Sequence, residues 1–215
     1  MVKRVTVVDY GIGNVYSVCN ALSSVGATPA LSADPDKIAT AERLILPGVG
    51  AFSKAMENLR QRGLEEAVSQ FIGSGRPMLG LCIGMQILME SSTEFGEYVG
   101  LKHIEGGVEK IPTYNKDGDR VKVPHIGWAE VKPTRDFRGG PLSELQCKED
   151  SYFYFVHSFM CKPKNPDHVL ATTTYRGLNI TAAIGRENII GLQFHPERSG
   201  RAGLRLLSRF AGTFK

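Results

Sequence analysis

One cysteine of this chain stands between two glycines at the end of an apolar run, in Gly80-Leu81-Cys82-Ile83-Gly84-Met85-Gln86. A nucleophile carried on a strand-to-helix turn needs small neighbours, because the backbone is strained there and a large side chain would block the approach to the reacting atom. A helix opened by residues 84–90 would put N-terminal amides beside the sulfur, favouring thiolate over thiol and offering the Ile83 N–H to a developing oxyanion. The same heptapeptide also describes a buried core cysteine packed beside two glycines.

A base that could serve this thiol lies over a hundred residues away, in Gln193-Phe194-His195-Pro196-Glu197. In an extended segment, positions two apart face the same side, so His195 and Glu197 can reach one space. A carboxylate there would hold the imidazole in one tautomer and stabilise its charged form, the logic of a Cys, His and acid triad. Taken alone, His-Pro-Glu is more often a capped loop than a relay. Pro47-Gly48-Val49-Gly50 follows an apolar strand and precedes a helix. Such a loop can turn a backbone N–H toward a negative oxygen, or be a plain strand-to-helix turn.

The elements that must position these groups alternate. Residues 4–8 are a β-branched run ending at Asp9-Tyr10-Gly11, after which Val15, Val18, Cys19, Leu22 and Val25 recur at helical spacing until Gly26. A short strand over 27–32, a helical turn over 36–41 and a buried strand at 44–46 follow, then helices over 51–62 and 64–74, then the apolar run 78–81. This alternation predicts an α/β fold with a mainly parallel central sheet flanked by helices. Because open parallel sheets gather active-site residues at their strand ends, Cys82 and His195 would both lie there. Beyond about Gly106 the runs 121–123, 129–131, 152–156, 169–175, 179–184 and 189–194 predict antiparallel strand additions. Residues 115–120 (NKDGDR) read as a hairpin turn. The last helix, 200–210, sets Leu204, Leu207 and Phe210 on one side and a stripe of Arg198, Arg201, Arg205 and Arg209 on the other, expected as a solvated face.

At 215 residues, 42% of them hydrophobic, the chain suits a single domain over 1–215. A net charge of +4, from 26 basic and 22 acidic residues, with no long basic run among aromatics, gives no sign of a nucleic-acid surface. The start, MVKRVTVVDY, alternates polar and apolar residues and lacks a secretory apolar stretch, and no segment is expected to enter a membrane. Cys19, Cys82, Cys147 and Cys161 lie too far apart for a zinc site or small disulfide scaffold, so a reducing cytoplasm is expected. His103, His157 and His168 form no metal-ligand pattern. GIGNVY, residues 11–16, has Tyr16 where a dinucleotide loop needs its third glycine.

GLCIGMQ together with FHPE resembles the class I, triad-type glutamine amidotransferases, whose fold is flavodoxin-like. DYGIGN (9–14), LPGVGAF (46–52), PHIGW (124–128), YFVHS (154–158) and FHPERS narrow the resemblance to the glutaminase subunits of imidazole glycerol phosphate synthases, over nearly the whole chain. The resemblance implies that Cys82 attacks the side-chain amide of glutamine, that His195 protonates departing ammonia and then helps water attack the thioester, and that Glu197 orients the imidazole. By analogy Val49 and Ile83 are the oxyanion donors. Gln86 and Glu94 hold the ends of bound glutamine or shape its pocket, with Gly50 and Tyr154 as further contacts. No metal or organic cofactor is implied.

The resemblance also implies a partner. Ammonia passes to a separate cyclase subunit, a (β/α)8 barrel of about 250 residues that this chain is too short to contain. Asn14, His125, Trp128, Tyr154 and Arg198 stand where the family meets or signals to that cyclase. Until it is engaged, the loop matching 48–50 is not fully aligned, and resting activity is low. Two residues depart from the family's pattern: Ala129 stands where Asn is usual, and Arg198 where Lys is common, giving a planar fork for a compact ammonium.

Overall fold

The computed structural model describes residues 3–137, 139–147 and 151–212; residues 1 and 2 of the alternating start lie outside them. The N-terminal half runs β1 (Arg4–Val8), α1 (Val15–Ser24), β2 (Thr28–Ser32), α2 (Pro35–Ala39), β3 (Leu44–Leu46), α3 (Phe52–Gln61), α4 (Leu64–Gly73) and β4 (Met78–Leu81). One helical turn, α5 (Ile83–Gln86), leads into β5 (Met89–Ser92), β6 (Tyr98–Val99), β7 (Ile104–Lys110), β8 (His125–Glu130), β9 (Lys132–Pro133), β10 (Tyr152–His157) and β11 (Phe159–Pro163). The chain then closes through β12 (Val169–Tyr175), β13 (Leu178–Arg186), β14 (Ile189–Leu192) and α6 (Gly200–Ala211).

Among the described residues the central sheet has the order β2-β1-β3-β4-β14-β13-β12-β9. Its first five strands pair in parallel and the last three are added antiparallel, as expected for the C-terminal half. Alternation along the strands divides the core in two. Leu44, Leu46 and Met78 join Met56 of α3 and Phe71 of α4. Ile45, Leu79, Val5 and Val7 instead join Leu22 of α1 and Leu206 and Phe210 of α6. Both faces are therefore covered, which is why β3 and β4 read as unbroken apolar runs. β11-β7-β5-β6 form a second sheet and β10-β8 a separate pair.

Three expectations are corrected. The helix predicted over 84–90 stops after one turn, at Gln86: Leu88 N–H turns back to Met85 O at 3.3 Å, the chain enters β5 at Met89, and the carbonyls of 87–89 are claimed by the chain at 101–103. Leu101 N–H donates to Ile87 O at 2.8 Å, His103 N–H to Leu88 O at 3.0 Å and Lys102 N–H to Met89 O at 3.2 Å. The strand expected at 121–123 is absent: Val121 N–H donates to Thr113 O at 2.8 Å, and Pro124 has no N–H to extend a ladder. The arginine stripe is only partly a solvated face. Arg205 Nε lies 2.8 Å from Glu144 Oε2, Arg209 pairs with the other carboxylate oxygen, and Glu144 is buried. The NKDGDR turn is present, with Asn115 Oδ1 accepting from Asp119 N–H at 2.8 Å beneath a Tyr114–Arg120 bridge.

Candidate active site

β4 lies between β3 and β14, and its last residue delivers Cys82 to the carboxyl end of the sheet. The Cys82 N–H continues the ladder, donating to Leu192 O at 2.7 Å, and the chain then turns sharply at φ 53 and ψ −108. That conformation costs a non-glycine residue about 1–3 kcal/mol and persists only where the surroundings over-determine it. Here they do. Met85 and Gln86 N–H both donate back to the Cys82 carbonyl, at 3.0 and 3.1 Å. The flanking glycines let backbone meet backbone: a Cβ on Gly80 would lie 2.7 Å from Gly84 O, and one on Gly84 would overlap Leu46 O. The two glycines thus hold the elbow against β3 and its own strand rather than only clearing space above the sulfur.

β14 is the parallel neighbour of β4, so residues just past its end come beside the elbow. His195 is pinned by its backbone, N–H to Tyr154 O at 2.9 Å, while its carbonyl accepts from Ser199 Oγ at 2.6 Å. Its Nδ1 is 2.8 Å from Glu197 Oε1, with both side chains almost fully buried, and Nε2 has no hydrogen-bond partner among the described residues. Burial alone would lower the pKa of His195, but interaction with the Cys82 sulfur and the Glu197 carboxylate outweighs it, raising the value from 6.5 to about 10. The ring is therefore an imidazolium at neutral pH, held between sulfur and carboxylate.

A cavity of about 280 Å³ opens on this pair, lined by Val49, Gly50, Cys82, Ile83, Gln86, Glu94, His157 and His195 among others. Of the residues singled out in the sequence, the structure gathers every catalytic, oxyanion and glutamine-contact candidate here except Glu197, which stands behind His195, and Tyr154. Gly50 has φ +96 with open space around its Cα, and Val49 is exposed, so the tip of the 47–50 loop is unencumbered. Its root is not. The Tyr10 hydroxyl, fully buried, donates to Pro47 O at 2.5 Å, and burial together with the Cys82 charge raises its pKa far above the ordinary value, so the hydroxyl stays a donor.

Glu94 lines the cavity, yet one of its oxygens is committed, accepting from Phe52 N–H at 2.5 Å. It supplies the cap that Ala51 cannot give to α3, tying that helix and the adjoining loop to the wall of the second sheet. Gln86, which lines the cavity, spends its amide on Phe159 O at 3.2 Å and Gln193 Oε1 at 3.0 Å, leaving its own Oε1 buried and without a partner among the described residues. Tyr154 does not line the cavity. It packs edge-on against Trp128 at 6.2 Å, with the Arg198 guanidinium 4.5 Å over its ring. Trp128, Arg198 and Asn14 are exposed, and Asn14 Oδ1 also caps α1 by accepting from Ser17 N–H at 3.4 Å.

His125, expected at the partner surface, is instead sealed, 1% exposed and stacked between Tyr175 at 4.0 Å and Phe155 at 4.8 Å. Its Nδ1 lies 3.1 Å from His157 Nε2, and His157 Nδ1 lies 2.8 Å from Phe159 O. Because that carbonyl can only accept, His157 carries its proton on Nδ1 and accepts from His125. Burial lowers both, His125 to about 4 and His157 to about 3, so both are neutral. Sequence reasoning missed Tyr10, Ser199 and Gln193, for which neither spacing nor composition carried a signal. No group of three or more His, Cys, Asp or Glu among the described residues is placed to hold a metal ion. No described helix is long and apolar enough to cross a membrane.

Comparison with known proteins adds a family, two relatives and a solved structure. The family described as "Glutamine amidotransferase class-I" matches residues 6–212. The chain is 44% identical over 209 residues to imidazole glycerol phosphate synthase subunit HisH 1 of Legionella pneumophila (strain Paris), covering 97% of this chain and 98% of that one. It is 42% identical over 206 residues to subunit HisH of Geobacillus thermodenitrificans, covering 96% and 94%. Among solved structures it resembles PurLQS from Thermotoga maritima, with a TM-score of 0.73 at 19% identity and 99% of each chain covered. At this identity the structural likeness speaks for the fold.

Proposed function

The chain belongs to the class I glutamine amidotransferases, and from that premise we propose that it works as the glutaminase subunit of an imidazole glycerol phosphate synthase in histidine biosynthesis, hydrolysing glutamine and passing the ammonia to a separate cyclase subunit. Two relatives above 40% identity over nearly their whole length carry that subunit's name. The observation that carries the chemistry is the Cys82 elbow beside an imidazole whose far nitrogen is held by Glu197.

In this reading the sulfur attacks the side-chain amide carbon of glutamine, and the N–H groups of Val49 and Ile83 receive the oxyanion. The C–N bond then breaks as His195 gives its proton to the leaving nitrogen, which departs as ammonia and leaves a thioester. Water attacks that carbonyl, His195 takes its proton, the C–S bond breaks and glutamate leaves. Glu197 keeps the Nδ1 proton and ring orientation throughout. The unpartnered Gln86 Oε1 is an acceptor for the glutamine amino group, while Gly50 and Glu94 shape the opposite wall.

We place the cyclase, a (β/α)8 barrel, over the face carrying Asn14, Trp128, Tyr154 and Arg198. Exposed Tyr16, Ile126 and Trp128 there support it, because isolated soluble chains rarely leave such apolar surface without a partner. His125 serves that face only from beneath. The free tip of the 47–50 loop supports a resting state that awaits the partner. One domain over 1–215 fits the two core clusters that share a single sheet, and a cytoplasmic setting fits four free cysteines. The test is glutamate release with and without a matching cyclase and its substrate. Strong stimulation is expected, and turnover that ignores the cyclase would refute the assignment.

A further inference from the structure

We infer that Gln193 is a further catalytic residue of this site: its side-chain amide donates a hydrogen bond to the Cys82 sulfur, and Gln86 is the positioning residue that aims it. The inference rests on the reading of Cys82 as the nucleophile. Gln193 is fully buried, its backbone N–H is fixed to Ala182 O at 2.9 Å, and its Nε2 lies 3.6 Å from Cys82 Sγ, within hydrogen-bond reach of sulfur.

Which end of the Gln193 amide faces the sulfur follows from the groups behind it. Phe159 O can only accept, so the Gln86 group 3.2 Å from it must be the NH2. The same NH2 lies 3.0 Å from Gln193, which must therefore present its carbonyl oxygen to Gln86 and its own NH2 to Cys82. Turning Gln193 over would set two NH2 groups against each other between two buried side chains. His157 donates to the same Phe159 carbonyl, which fixes the far end of the chain of contacts in the same sense. The consequence is directional. Gln193 can donate to a thiolate but has no acceptor free for an S–H, so it favours the anion, and a hydrogen bond to an ionised acceptor is among the stronger ones. Gln86 thereby has two tasks: its NH2 sets Gln193, and its Oε1 remains for substrate.

The test uses Gln193→Glu, which keeps an oxygen for Gln86 but loses the donor, and Gln193→Met, which fills the volume without polarity. Iodoacetamide labelling of Cys82 in the free chain, followed on its peptide by mass spectrometry across a pH series, is compared with the parent. Labelling should move to higher pH by about one unit or more, and glutaminase kcat with cyclase should fall about ten-fold or more while KM changes less than about two-fold. Because the carboxylate of Gln193→Glu would itself disfavour the thiolate, Gln193→Met decides: a merely structural role would leave its labelling profile unmoved while it keeps the parent's circular dichroism, and that result would overturn the inference. Should neither variant fold, the Gln193 side-chain amide resonance of the parent decides: it should titrate with the Cys82 thiol and lose that titration in Cys82→Ala. A parent chain that releases no glutamate with cyclase refutes the function itself, whereas an active parent with unmoved labelling refutes only the role of Gln193.

Discussion

Gly84 of the helical turn after the nucleophile sits directly on the carbonyl oxygen of Leu46, so that any side chain there would overlap the end of β3. The backbone of one strand end thus fixes the angle at which the neighbouring strand presents its cysteine. Gly50, four residues past that carbonyl, has nothing within 4 Å of where a Cβ would stand. Gly84→Ala should therefore destabilise the fold by about 3 kcal/mol or more, since the clash is with backbone that cannot step aside. Gly50→Ala should cost only about 1 kcal/mol of stability, from its positive φ, and should show itself in kcat. Thermal melts beside glutaminase assays check the pair, and equal melting temperatures for the two variants would contradict this account.

Cys82→Ala should abolish glutamine-dependent synthesis by the reconstituted pair while synthesis from added ammonium salt survives, because only the first needs the sulfur. Loss of both activities together would end the division of labour between the subunits.

His195 keeps its proton up to about 10, against 6.5 for an unperturbed imidazole. A raised folded-state value means that this proton's contribution to stability is full below pH 6.5 and disappears as pH climbs through about 10. The proton destined for ammonia is lost over the same range, so the alkaline limb of kcat/KM, measured with cyclase, belongs near pH 10. Glu197→Gln removes one of the two anions that raise the value, and the limb should move toward neutrality by about one unit or more. A parent limb close to an ordinary imidazole would show that no such ion pair operates.

Glu144 is buried and receives both Arg205 and Arg209 of α6. Removing the carboxylate takes from two guanidinium groups, each about a quarter exposed, the anion they share. Partial screening places the cost of Glu144→Ala at about 2 kcal/mol, below the full penalty for breaking a buried pair. Lys54→Ala, whose ion pair with Glu57 is half exposed, should leave stability essentially unchanged. Urea unfolding of both variants, with activity per folded molecule as control, separates the two cases.

Trp128 is 56% exposed and packs edge-on against Tyr154, which in turn lies under Arg198. An aromatic anchor of this kind should contribute heavily to cyclase binding, so Trp128→Ala should raise the dissociation constant about thirty-fold, or about 2 kcal/mol. Calorimetric titration against the cyclase reads this directly, and an unchanged constant would move the interface elsewhere.

Alternating apolar runs made the parallel sheet legible, and the short reach of local chemistry made the Cys82 turn and the His195–Glu197 pair legible too. The pair does not lie along an extended segment as expected: Pro196–Arg198 wind into a 3-10 turn, and it is from that turn that Glu197 Oε1 comes to 2.8 Å from His195 Nδ1. Family likeness named further cavity residues, but for two residues of the β10–β8 pair, Tyr154 as a glutamine contact and His125 at the partner surface, only strand register assigns the outward and inward faces: Tyr154 stands opposite Trp128, and His125 opposite His157. The one-turn helix after Cys82, the capping of α3 by Glu94, the Tyr10 hold on Pro47 and the Gln193 amide at the sulfur each join residues more than thirty-five apart, or depend on carbonyls claimed from elsewhere in the chain. Such contacts arise from the order and pairing of strands, so residue types name the reacting groups, whereas the folded sheet decides which amide, carbonyl or carboxylate reaches them and from which side.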